Sequence, residues 1–374
     1  MENNLTMKEK VAIVKCPDYK KEKVKKAIGK IFEICEVSLS AFPDKILLKP
    51  NMLSARKPED GVTTHPVILE SFGELFKKLE IFIGDSPANT GKQIQEYWEN
   101  CGYKEVSKKI NGKLIKFDNP IFLEINISSN IFNIPVTEEI MKVKILNLPK
   151  LKTHNLTILT SAIKNLYGLI PGFHKSILHS KFISSKEFSL FLVEFYEKVK
   201  ERIFFNIVDG IVIMEGDGPA SGNLKNLGYL IGGKNTIAVE MACAKILGLP
   251  YSKIPVLELY NEKFGLPEIE INGDFYIPLS DFKLPSSFTF SSFGKIKLLV
   301  PFLKIVAKFF IMKPFINESF CHKCYNCIRV CPVKAISKNL EIDRKKCIRC
   351  LCCFEVCPYK AIKIKKSFLA RLFT

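Results

Sequence analysis

CHKCYNCIRVCPVKAI, residues 321–336, returns as CIRCLCCFEVCPYKAI, residues 347–362, and these two lines decide how the chain is read. Aligned at an offset of 26 residues they agree at 9 of 16 positions, which marks an internal duplication. Each copy reads C-x2-C-x2-C-x3-C-P: Cys321, Cys324, Cys327, Cys331 and Pro332, then Cys347, Cys350, Cys353, Cys357 and Pro358. A cube of four irons and four sulfides needs thiolates at four tetrahedral corners. One tight loop offers three, and the fourth has to come from elsewhere in the fold. In runs of this spacing the fourth cysteine serves the other cluster. The expected ligand sets are therefore Cys321, Cys324, Cys327 and Cys357 for one 4Fe–4S cluster, and Cys347, Cys350, Cys353 and Cys331 for the other. Zinc and a disulfide scaffold are the competing readings, but zinc sites use cysteine pairs rather than triplets closed by Cys-Pro. Cys352 lies inside the second triplet, yet Cys353 alone keeps the spacing to Cys357, so Cys352 is expected to be dispensable for cluster binding.

The rest of the chain is long enough for one large domain beside this small one: 374 residues, 47% of them hydrophobic. The five other cysteines, Cys16, Cys35, Cys101, Cys243 and Cys352, show no pairing pattern. Free thiols with exposed cubanes point to a reducing, anaerobic setting and to the cytoplasm. The opening MENNLTMKEK has no apolar signal-peptide core, and every run of 18 apolar residues is interrupted by a charge. A net charge of +18 calls for an acidic counterpart of some kind.

From the N-terminus, apolar strands alternate with helical periods. KVAIVKC at 10–16 and KILL at 45–48 read as strands, as do residues 81–83, 142–148 and 204–208. Residues 20–37, a segment opened by His65-Pro66, and residues 156–169 and 235–248 read as helices. This predicts an α/β domain, a mostly parallel sheet with flanking helices, over residues 1–280. A linker with a basic apolar helix is expected over 281–315, and a small α+β two-cluster ferredoxin-like domain over 316–374. Four strands stop at polar motifs: KPN after residue 48, GDSP after 83, PKLKTH after 148 and DG after 208. Ligands of open α/β sheets bind outside the carboxyl ends of strands. Turn chemistry accounts for the Gly, Pro and Asp of these motifs, but not for Lys49, Lys150, Lys152 and His154.

KPN at Lys49, HP at His65, GDS at Gly84, KLKTH at Lys150, IKNLYG at Ile163 and EGDGPASG at Glu215 together resemble the family called domain of unknown function 362. The resemblance runs over roughly residues 10–248. It implies an α/β fold in a redox context, often with a C-terminal ferredoxin module. The chain departs from the family at Glu240, where the family carries Asp, so no role is assigned to that carboxylate. EGDGPASG lacks the spacing of a P-loop or a dinucleotide site and reads as a turn that lets Glu215 face a cleft. His174 and His179 read as residues of a solvated loop, and His322 as a spacer between ligands.

Three functional readings follow. In the first, the chain is a low-potential oxidoreductase carrying electrons from the ferredoxin module to an anionic small molecule in the α/β cleft. Lys49, Lys150, Lys152 and Lys164, with Asn51, His65 and Asn165, would hold the anion. Asp85, His154, Asp209 or Glu215 would move protons or bind a metal. The second reading is a non-catalytic electron carrier, and the third a metal or cluster maturation factor. Residues 317–374 hold 13 Lys and Arg against 4 Asp and Glu, so an acidic redox protein is the expected electron donor or acceptor. No aromatic platform accompanies the basic residues, so nucleic acid is not expected. The lysines and apolar residues of 295–315 read first as a helix packed between the domains with its lysines in water, and a peripheral membrane contact is the alternative.

Overall fold

In the computed structural model, residues 8–87, 93–286 and 313–365 are described. The first strand, β1 (Glu9–Lys15), shows why the large domain has two layers of helices. Side chains alternate along a strand. Val11 and Ile13 enter one hydrophobic core, and Ala12 and Val14 enter the other. A strand buried on both faces reads as an unbroken apolar run, and several strands of this sheet do.

The further strands are β2 (Lys45–Pro50), β3 (Glu80–Ile83), β4 (Lys113–Leu114), β5 (Pro120–Ile127), β6 (Asn130–Thr137) and β7 (Lys144–Leu148). They continue with β8 (Lys150–His154), β9 (Ile158–Thr160), β10 (Ile203–Glu215), β11 (Asn223–Gly233) and β12 (Ile269–Gly273). The main sheet runs β12-β1-β11-β10-β7-β2-β3-β4, with β8 and β9 attached beside β10. From β10 to β4 every neighbour is parallel, and β11 enters antiparallel between β1 and β10. The expected α/β class with a mostly parallel sheet and flanking helices is the fold found.

Helix Lys21–Ile34 buries Val24, Ile28, Ile31 and Phe32, one stripe of a 3.6-residue period, against the second core. Helix Pro66–Leu75 has Pro at its first turn, and His65 caps it by accepting the Val67 amide.

Four local expectations need correction. Residues 156–169 are not one helix. Leu156 and Thr157 follow β8, then β9 turns back on it with Lys152 opposite Thr160 and His154 opposite Ile158. Helix begins only at Ala162, as α over Ala162–Leu166 and as a 3-10 turn over Tyr167–Leu169. Ile158 itself takes a left-handed φ of 67°, so the pairing with β8, not the propensity of the segment, decides the outcome. Asp209-Gly210 does not end a strand. It lies in register inside the continuous β10, just before a register shift between Gly210 and Val212. PKLKTH does not simply end a strand, because after Pro149 the residues Lys150–His154 are extended as β8. His179 is not on a solvated loop. It is 4% exposed within helix Gly172–Lys181. The β5–β6 hairpin, absent from the sequence reading, buries Ile125, Ile127, Ile134 and Val136 beneath it.

In the C-terminal module, β13 (Lys313–Ile316) pairs antiparallel with β14 (Ile362–Lys365). The last residues of the expected basic helix, Lys313–Phe315, are therefore a strand, while the rest of it, with Lys297, Lys304 and Lys308, lies outside the described residues. Helices Asn326–Val330 and Cys352–Val356 carry the third cysteine of each triplet, Cys327 and Cys353. The duplication extends to the backbone. Lys323, Tyr325 and Lys334 have positive φ, and so do Arg349, Leu351 and Lys360, each 26 residues on. Among the described residues no helix is long and apolar enough to cross a membrane.

Candidate cluster sites and the interface cleft

The module holds two separate cavities, each walled by cysteines from both halves of the duplication. Cys321, Cys324, Cys327 and Cys357 line one, with Ile316, Leu340 and Ile362. Cys331, Cys347, Cys350 and Cys353 line the other, with Ile336, Ile342 and Ile348. The Ala335 amide donates to Cys331 Sγ at 3.2 Å, and the Ala361 amide to Cys357 Sγ at 3.3 Å. Amide donors on sulfur stabilise a thiolate and tune a cluster's potential. Among the described residues no three His, Cys, Asp or Glu side chains converge on a single metal ion. Four thiols lining one apolar cavity suit a cubane.

The strand-end motifs of the large domain gather into two polar nodes. In the first, Lys49 Nζ lies 2.7 Å from Asp85 Oδ1, both side chains buried. Asp85 Oδ2 accepts the Met52 amide at 2.7 Å. Asn51 Nδ2 donates to Asn165 Oδ1 at 3.0 Å, and Asn165 Nδ2 donates to the Lys49 carbonyl and to Asn147 Oδ1. So KPN, GDS and IKNLYG meet. The glycine that follows Tyr167 is required by this meeting, because a Cβ on Gly168 would collide with both Asp85 and Lys49.

The second node joins KLKTH, DG and HP. Lys150 Nζ donates to Asp209 Oδ2 at 2.9 Å and to Tyr19 Oη at 2.7 Å, and Tyr19 donates to Asp209 Oδ1 at 2.8 Å. The His65 amide donates to Asp209 Oδ2, and its ring stacks on Tyr19 at 3.8 Å. Burial lowers the His65 imidazole below its ordinary value. Tyr19 gave no signal in the sequence.

The remaining β8 residues point elsewhere. Lys152 is buried and donates to the Val62 carbonyl, and burial drives its ammonium well below the ordinary value. His154 accepts the Leu156 and Thr157 amides through Nδ1, while Nε2 lies 3.3 Å from Glu355 Oε1 of the ferredoxin module. That carboxylate oxygen is buried without an aligned hydrogen bond. Glu215 is remote from these contacts, held by the Lys283 amide at 3.2 Å and facing Lys225 at 3.8 Å.

Between the two domains lies a cleft of about 590 Å³, its open mouth included. From the large domain it is lined by Asn51, Asp85, Lys164, Asn165, Lys175 and His179, among others, and from the module by Val330, Cys352, Glu355 and Val356. Of the residues singled out in the sequence, Asn51, Asp85, Lys164 and Asn165 reach it; Lys49, His65, Lys150, Lys152, His154, Asp209 and Glu215 are not among its lining. Lys164 Nζ sits 4.4 Å from the Tyr167 ring centre, and Lys175 donates to the Ser86 carbonyl. Burial brings Lys164 down to about 8 and Lys175 to about 7. His179 stacks on Phe188 at 4.5 Å, burial lowers it to about 3, and its Nδ1 is buried with no hydrogen-bond partner among the described residues. Phe188 is placed by the helix opened by Ser184, whose capping box with Glu187 is visible in the sequence as S-x-x-E. Lys175 and His179, four residues apart, share a helix face, the signal that a loop reading concealed.

Glu240 also acquires a place. Its carboxylate accepts the Ile163 amide at 3.0 Å, and burial raises it to about 7. It thereby holds the first turn of the short helix that carries Lys164 and Asn165. The module is fastened to the large domain at a second point by Arg56, whose Nη2 donates to the Cys357 carbonyl at 3.1 Å.

Comparison with known proteins agrees with this division. The profile of the 4Fe–4S binding domain matches residues 314–337 and 340–363, so the chain binds two 4Fe–4S clusters. The thylakoid-associated protein sll1697 of a Synechocystis species is 29% identical over 228 residues, 60% of this chain and 68% of that protein. No solved structure matches. The profile of the domain of unknown function DUF362 matches residues 46–245, more than half of the chain, and the protein belongs to that family.

Proposed function

We propose that the protein is an iron–sulfur oxidoreductase whose substrate is a small anion bound in the interface cleft. The observation that carries this is the position of Cys352, which lines both the cleft and the second cysteine cavity. Cys331, Cys347, Cys350 and Cys353 would hold the cluster beside the cleft, and Cys321, Cys324, Cys327 and Cys357 the other. Bound clusters supply one-electron transfer at low potential. Lys164 and Lys175 hold the anion by charge, both lowered by burial and both favoured in the charged form once an anion arrives. Asn51 and Asn165 fix the floor, and His179 offers Nδ1 as a hydrogen-bond group. Asp85, of the four acid–base candidates, is the one that lines the cleft.

The ligand sets have a direct test. Anaerobically prepared protein should contain about eight iron and eight acid-labile sulfide per chain. Cys331→Ser should deplete the cluster of the second triplet and spare the first. Loss of the first cluster alone would reverse the assignment. Cys352→Ala should keep both.

For function, dithionite-reduced protein is titrated with oxalate, pyruvate, sulfate and phosphate, while the electron paramagnetic resonance of both clusters is followed. One anion should perturb the signal that Cys331→Ser removes, and Lys164→Met should weaken that response roughly tenfold or more. A signal indifferent to every anion would favour the plain electron carrier.

A further inference from the structure

The two cysteine cavities face different surroundings. The second adjoins the cleft through Cys352. The first is walled by His322, Tyr325 and Tyr359. These are not core residues. Tyr325 is 40% exposed, Tyr359 43% and the neighbouring Phe320 54%. His322 stacks on Tyr359 at 4.1 Å, and Lys363 Nζ sits 5.8 Å from the Phe320 ring centre, so the aromatic groups and the basic groups form one patch. Lys323 and Lys360 are exposed beside it, and Glu318 is the only acid between residues 313 and 334. Arg56 holds the module from the Cys357 carbonyl.

Exposed aromatic rings on a soluble module mark a contact surface. Aromatic centres ringed by one sign of charge are the usual make-up of a docking patch, in which the rings carry short-range affinity and the rim steers approach. We propose that this face, Phe320, His322, Tyr325 and Tyr359 rimmed by Lys323, Lys360 and Lys363, docks a small acidic electron-carrier protein. The partner meets the module at its first cysteine site, and the cleft is served by the second. The proposal rests on the reading of the module as an electron carrier and is independent of what the cleft binds.

The test uses the full-length, cluster-loaded protein and an acidic flavodoxin as probe, whose flavin absorbance is separable from iron–sulfur bands. Association is measured at low ionic strength. The triple variant Lys323→Glu, Lys360→Glu, Lys363→Glu should lower the association rate about tenfold or more, and added salt should erase the difference. Tyr359→Ala should leave the association rate within about twofold and speed dissociation instead. The matched variant Lys338→Glu, Lys345→Glu, Lys346→Glu, on the exposed rim near the second triplet, should stay within about twofold of the parent. Iron content of every variant is checked, so a failed fold is not read as failed docking. Equal loss from both triple variants overturns the proposal in favour of diffuse attraction. It is also overturned if flavodoxin does not bind while phosphatidylglycerol vesicles capture the protein through the same three lysines.

Discussion

Lys49→Met should strongly destabilise the large domain. The ammonium and the Asp85 carboxylate are both buried, 2.7 Å apart. Removing one partner of such a pair leaves a charge without compensation, at a cost of about 3–5 kcal/mol. The stranded carboxylate keeps only the Met52 amide. The double variant Lys49→Met, Asp85→Asn removes both charges and should recover most of the loss, because replacing a whole buried pair is often close to neutral. Gly168→Ala is the steric counterpart, since its methyl group would enter the same pair. Chemical denaturation of all three variants, with cluster content followed separately, checks the expectation. A single variant as stable as the parent would mean that Asp85 is reached by solvent and that the pair is no strut. The same experiment separates support from recognition: Lys49 braces the floor of the cleft, whereas Lys164 and Lys175 line it.

The second large effect is the pH dependence of anion binding. Burial lowers Lys164 to about 8 and Lys175 to about 7, from an ordinary 10.5. An anion binds the protonated lysines, so affinity is full below pH 7 and falls as the pH rises through both values. Each lysine that must be charged costs about tenfold per pH unit above its own value. Between pH 6.5 and 9 the affinity for an anion that does not titrate in that range, such as oxalate, should fall at least tenfold. Stability of the unliganded protein should move the other way. Between about 7 and 10.5 the unfolded chain holds more protons on these two lysines than the folded one does, so their contribution to stability rises with pH. Isothermal titration at several pH values, with thermal unfolding alongside, reads both slopes. Affinity that is flat from pH 6.5 to 9 would remove the two lysines from the anion site. In Lys175→Met the fall should start about one unit higher, leaving Lys164 alone to set it.

The cysteine duplication was legible because cluster ligation is a local demand. Three thiolates must come from one loop, so spacing in the sequence carries the chemistry, and the repeated left-handed residues show the same loop built twice. The α/β class was legible because burial on both faces writes apolar runs into β1, β2 and β7. What failed did so for identifiable reasons. Helical and extended pairings compete for short apolar segments such as Leu156–Thr160, and the partner strand, not the segment, settles the outcome. His179 stands between Leu178 and Ser180 in sequence, and its aromatic neighbours, Tyr167 and Phe188, come from elsewhere in the fold.

The sequence by itself determined which residues are scarce and costly: eight cluster cysteines, lysines at strand ends, a carboxylate after a glycine. Their meeting is another matter, since it depends on contacts between distant parts of the chain, 36 residues apart for Lys49 and Asp85 and 59 for Lys150 and Asp209. Only the tertiary structure pairs Lys49 with Asp85 and Lys150 with Asp209, and sets Lys152 apart from both. Only the packing of the module against the large domain brings Glu355 to His154 and Cys352 to the cleft. A buried charge is tolerated where a partner stands, and the sheet order decides which partner that is.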